Sequence, residues 1–237
     1  MKKYLSVFEL MARSTIYRIL ILLVAMAAVE GALFWFAVQK NYWLEETFNQ
    51  SRVSWAYAAF FVLLTATIAM TGCEHGAKTG YTLRRLQISE MSVFLCQATY
   101  NIFCYFIFWT SQVFIVYGLF HFYTATADAS SLGAQSLFLA FYRNDFLHSL
   151  LPLDEVSRYV RNGILILCLG ITSAYFPVCQ RAGKAGKELI VLVCVVLLFF
   201  ASSMGGLAND VFLSAAAVIA AIKVFAEAFA KEAQYEA

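Results

Sequence analysis

Four side chains in this sequence could do chemistry inside an apolar environment: Glu30, Gln97, Asn101 and Gln112. Each interrupts a long run of hydrophobic residues, where a polar or ionisable group is costly and is by default a functional candidate. Glu30, near the middle of the run 19–38, could contact a cationic substrate or carry a proton. Gln97, Asn101 and Gln112, within the run 91–120, could line a substrate path. The competing reading is a hydrogen bond between helices, often worth only about 0.6 kcal/mol. Asn162 and Asp210 fall near helix ends and read as solvated caps.

Other chemistry is missing. No GxxxxGK[ST] phosphate loop occurs, so the chain does not read as a nucleotide hydrolase. Neither HExxH nor GxSxG occurs, which leaves no protease or esterase signature and no catalytic residue to name. A TVGYG filter is also absent. His75, His121 and His148 fall in loops, and the six cysteines include no CxxC pair, so they read as structural thiols rather than metal ligands.

The elements that must position these groups follow from composition. The 237 residues are 62% hydrophobic and only 14% charged, with two prolines and a mean hydropathy of +0.71. Soluble domains carry about 25% charge, so the fold class is an all-α membrane protein, one transmembrane domain over 1–237. A net charge of +2 implies no nucleic-acid partner. A crossing helix needs about 20 apolar residues, and six stretches are read as spans: 19–38, 53–72, 91–120, 162–180, 189–206 and 211–230. The third is long and should tilt or project. Lys223 and Glu227 interrupt the last, in turns where long side chains reach the headgroups.

Orientation follows from Lys and Arg in the short loops. With the N-terminus cytoplasmic, 12 of the 17 fall inside and five outside, namely Lys40, Arg52, Arg143, Arg158 and Arg161. This predicts both termini cytoplasmic. Residues 1–15, with Phe8, Met11 and Ala12 on one arc and Lys2, Lys3, Glu9 and Arg13 on the other, read as an amphipathic interfacial helix. The outer stretch 137–152 is apolar but too interrupted to cross. It reads as an interfacial or shallow re-entrant helix ended by Pro152, with a cap packed on the bundle as the alternative.

Between the second and third spans lies TGYTLRRLQIS, with Arg84 and Arg85 bracketed by Leu83 and Leu86. A positive-inside loop needs the arginines but not the leucines. A short helix here could insert an apolar face into a groove on another protein, with the arginines pairing at the rim. The stretch resembles the cytoplasmic coupling helix of ABC-2 type transporter permeases, as do the span count, the amphipathic start and the basic tail. The resemblance implies that Tyr81, Thr82, Leu83, Arg84, Arg85 and Leu86, in a coupling helix at about 79–88, dock a separate ATP-binding subunit. It also implies a second permease copy or paralogue, substrate moved usually outward across the cell membrane (a bacterial cytoplasmic membrane), and ATP and Mg held by the partner rather than by this chain. One departure is that the apolar outer element lies between spans three and four, not between five and six. Two other classes stay open: a stand-alone secondary carrier or channel using Glu30, and a membrane anchor without transport of its own.

Overall fold

The computed structural model describes residues 2–39, 44–70, 89–126, 136–152, 155–181, 183, 186–200 and 206–236. All regular structure among them is helical: α1 (Lys2–Val38), α2 (Leu44–Gln50), α3 (Val53–Met70), α4 (Glu90–Thr126), α5 (Ser136–Arg143), α6 (Asp145–Leu150), α7 (Val156–Arg181), α8 (Lys187–Phe199) and α9 (Leu207–Glu236). Long apolar runs explain the long elements, because a backbone in lipid must satisfy its own polar groups, and helices there tolerate an internal Gly or Pro such as Gly31, Gly118, Gly170 and Pro177.

Among the described residues five helices are long and apolar enough to cross a membrane: Met11–Val38 of α1, α3, α4, Val156–Gln180 of α7 and Leu207–Ala230 of α9. The expected fifth span, 189–206, departs from this set. Its helix α8 ends at Phe199 after 13 residues, about 20 Å of rise. The apolar run continues in sequence, but into Ser-Ser-Met-Gly-Gly, and Gly206 takes a positive φ of 46° just before α9. A left-handed φ is accessible to glycine at little cost, and here it directly precedes the first turn of α9. The Asn209 side chain donates to the Phe199 carbonyl at 3.0 Å, so the end of α8 is tied to the start of α9.

Residues 1–15 also depart from expectation. No break separates an interfacial helix from the first span, and α1 runs unbroken from Lys2 to Val38. The apolar arc exists, but its partner is protein. Met11 is buried, Phe8 and Ala12 pack on the same core, and the Phe8 ring meets the Tyr100 ring of α4 edge-on at 5.4 Å.

Side-chain contacts fix the helix directions. Thr15 meets Tyr100 and Glu30 meets Gln112, so α1 and α4 run parallel. Thr65 meets Tyr105 while Tyr57 stacks on Phe108, so α3 runs against α4. Asn101 meets Ser173 and Phe94 meets Tyr175, while Trp109 reaches back to Leu150 just before α7, so α7 also opposes α4. Glu188 pairs with Lys223 near the start of α8, and Phe199 at its end meets Asn209, so α8 opposes α9. The end at which α4 begins is called the lower end below. It carries Arg13, Arg18, Lys187 and Lys223, and both the first turns of α1 and the last turns of α9 lie there.

Among the described residues the core falls into three clusters along the axis, the lowest of them Phe94, Ala98, Ala174, Tyr175 and Val224 between α4, α7 and α9. The middle cluster holds Met26, Leu64, Ile68, Phe108, Leu169 and Leu192. The upper cluster holds Phe34, Phe48, Val116, Leu147 and Leu150. The outer segment 137–152 is two short helices broken at Asn144, whose Oδ1 accepts from the Leu147 N–H to cap α6 and whose Nδ2 donates to Asn49 at 2.8 Å. All of Phe146 to Leu150 is buried, so α6 is a plug packed on the bundle, while Phe138 and Tyr142 of α5 stay exposed. The expected coupling segment, Tyr81, Thr82, Leu83, Arg84, Arg85 and Leu86, lies outside the described residues.

Candidate functional site

Helix α4 carries the polar side chains on one buried stripe. Gln97, Asn101, Tyr105, Phe108 and Gln112 follow one another at steps of four, four, three and four residues, and all are buried. That spacing keeps them on a single face of an α-helix. Three of the polar members each reach a different neighbouring helix. Asn101 meets the Ser173 hydroxyl of α7 at 2.9 Å. With its amide turned, Asn101 also donates to the Gln97 carbonyl and accepts from the Ala174 N–H, both at 3.2 Å. The Tyr105 hydroxyl donates to Thr65 of α3 at 3.0 Å. Gln112 Nε2 donates to Glu30 Oε2 of α1 at 2.8 Å.

The four residues singled out from the sequence therefore do not form one site. Glu30 and Gln112 meet. Asn101 sits about 16 Å and Gln97 about 22 Å lower along α4, three and four turns away, and Asn101 faces α7. Asn101 lies beside a very close contact between α4 and α7. A Cβ on Gly170 would come within 2.3 Å of the Ile102 side chain and 2.9 Å of its backbone nitrogen. Only glycine allows α4 and α7 to approach this far, and small residues serve the same purpose at membrane helix interfaces generally.

Glu30 is the more unusual group. Neither it nor Gln112 exposes any surface. Met26 and Phe34, one turn below and above Glu30, are also fully covered, as are Phe108 and Val116 around Gln112. Glu30 thus sits at the seam between the middle and upper apolar clusters, about 12 Å from the upper end of α1. Among the described residues no cation contacts it, and Glu30 Oε1 and Gln112 Oε1 have no hydrogen-bond partner.

A second cluster, at the upper end, overturns the reading of Asn162 and Asp210 as solvated caps. Arg161 Nη1 donates to Asp210 Oδ1 at 2.9 Å, and its Nη2 donates to the Ser149 carbonyl at 3.2 Å. Asn162 Nδ2 donates to the same carbonyl at 2.9 Å, and Ser157 donates to Asp210 Oδ2 at 2.8 Å. The Arg161 guanidinium lies 5.1 Å from the centre of the Phe200 ring, a cation–π contact. Nearby, Glu155 takes Arg158 Nε at 2.5 Å and His148 Nε2 at 3.8 Å. The available signal was the crowding of Arg158, Arg161 and Asn162 within one turn of an apolar helix. A local pattern does not reveal that their acid lies 49 residues away.

Beside this cluster a half-open cleft runs between α3, α4 and α7. Its walls are mainly aromatic, including Tyr57, Phe61, Trp109 and Phe200, with Asn162 at the polar edge. Such a surface suits an apolar or aromatic group and offers no nucleophile–base pair. Among the described residues no cluster of His, Cys, Asp and Glu could hold a metal ion. The chain matches no known family model, no curated protein and no solved structure.

Proposed function

We propose that this chain is the membrane-embedded permease subunit of an ATP-driven exporter, coupled to a separate ATP-binding subunit. The observation that carries this reading is where α3 ends and α4 begins. Both do so at the lower end, alongside Arg13, Arg18, Lys187 and Lys223, which the positive-inside rule makes cytoplasmic. The connector between them contains Leu83-Arg84-Arg85-Leu86, suited by composition to dock on a soluble partner. The alternating helix directions, with α8 as a short opposed partner to α9, favour six passes and both termini in the cytoplasm. A membrane-embedded chain without a phosphate loop needs its energy from elsewhere, so ATP and Mg belong to the partner. Co-expression with ATPase subunits from the same source tests the reading. The complex should purify intact and hydrolyse ATP faster than the ATPase alone in liposomes, whereas a chain that moves cargo unaided would refute it.

The buried carboxylate of Glu30 favours a second reading, a stand-alone carrier coupled to protons or cations. Transport by the purified chain in liposomes, lost in Glu30→Gln, would select that reading instead.

A further inference from the structure

The Glu30–Gln112 pair leaves two oxygens over, one on each residue, and both are acceptors buried without a partner. Two unsatisfied acceptors in one contact point to a missing hydrogen. A carboxylate here would have a single neutral hydrogen bond from Gln112 and no cation, surrounded by Met26, Phe34, Phe108 and Val116. Desolvation of a lone buried charge outweighs one such bond, and a group so placed becomes neutral. A carboxylic acid differs from its anion by one O–H donor. That donor, on Glu30 Oε1, would satisfy both orphans at once by reaching Gln112 Oε1, while Gln112 Nε2 keeps its bond to Glu30 Oε2.

We propose that Glu30 and Gln112 form a cyclic acid–amide pair in which Glu30 holds a bound proton. The proton enters from water before the bundle closes, and nothing else is consumed. Its two hydrogen bonds tie α1 to α4 at the seam of the core. The ligand is a proton rather than a metal cation, because an alkali or alkaline-earth ion needs six or so oxygens, and the pair itself offers three, with Tyr57 of α3 the titratable neighbour that feels Glu30. The proposal goes beyond the permease reading and does not depend on it. A chain driven by a separate ATPase can hold this proton permanently, and a carrier can release it during turnover.

Infrared spectroscopy of the full-length protein in lipid nanodiscs, labelled with ¹³C-carboxyl glutamate, tests this directly. At neutral pH the labelled protein should show a protonated carboxyl C=O band, since glutamates open to water are ionised there. Glu30→Gln should remove the band, and Gln112→Leu should keep it but shift it as the hydrogen bonds are lost. A wild-type spectrum without the band overturns the proposal. So does a band that persists in a folded Glu30→Gln protein. If Glu30→Gln does not fold, the Gln112→Leu spectrum decides, and an unshifted band there refutes the pairing.

Discussion

Arg161 and Asp210 lie 2.9 Å apart with 1% and 4% of their side chains exposed, so a full ion pair is enclosed at the upper end of the bundle. It joins α7 to α9 and, through the Ser149 carbonyl, fixes the plug α6 to both. At the lower end Tyr175 donates to Glu227 across the same two helices at 3.1 Å. The α7–α9 interface is thus pinned by polar contacts at each end.

Removing one partner of a buried pair leaves the other charge uncompensated, at a cost of about 3–5 kcal/mol. Arg161→Leu or Asp210→Asn should therefore lower thermal stability in detergent severely. The double substitution Arg161→Met with Asp210→Leu should recover most of it, because replacing both charges is often nearly neutral. A single variant that melts like the native protein would show that the pair is solvated.

Gly170 sits against the backbone of Ile102. Gly170→Ala should cost about 1–3 kcal/mol through forced separation of α4 and α7, and Gly170→Leu should prevent folding. Ala at Gly163, where an added Cβ meets nothing, should be silent by the same melting assay.

Charge reversal at Arg84 and Arg85 should weaken assembly with the ATP-binding subunit while leaving the helical circular dichroism unchanged. The comparison is pull-down yield and ATPase stimulation, native against Arg84→Glu with Arg85→Glu. Full coupling in the double variant would remove the docking role of this connector.

Glu188, in the first turn of α8 and outside the apolar stretch that follows, accepts from Lys223 Nζ at 2.6 Å. That hydrogen bond holds its carboxyl below the ordinary value of 4.5. A depressed value means that the contribution to stability is present above 4.5 and is lost as pH falls through the folded-state value. Glu188→Gln should therefore melt lower than the native protein at pH 7, by a small and salt-sensitive margin, since the pair is partly exposed. The two proteins should melt alike once the medium is acidic enough to protonate Glu188.

Hydropathy located the long helices because an apolar run and a lipid-facing helix are the same physical object. The expected span 53–72 became α3 (Val53–Met70), and 162–180 lies inside α7. The stretch 189–206 matches a shorter helix, α8 (Lys187–Phe199), because a hydropathy average does not mark where within an apolar run a helix ends. Burial of the first turns of α1 was half legible. The arc of Phe8, Met11 and Ala12 was visible, but amphipathicity does not say whether lipid or protein covers it. Glu30 and Gln112 were legible as polar groups in apolar runs. Their pairing across 82 residues was not, nor was that of Arg161 with Asp210, since each is set by helix packing.

The contact at Gly170 bears on how such a bundle could work. With backbone pressed to side chain there, and hydrogen bonds from Asn101 close by, α4 and α7 can neither slide nor roll past one another without a clash. They form the stator of the molecule. If the bundle changes shape in use, the movement must then fall to the helices docked around them, α1 with its enclosed acid or the opposed pair α8 and α9.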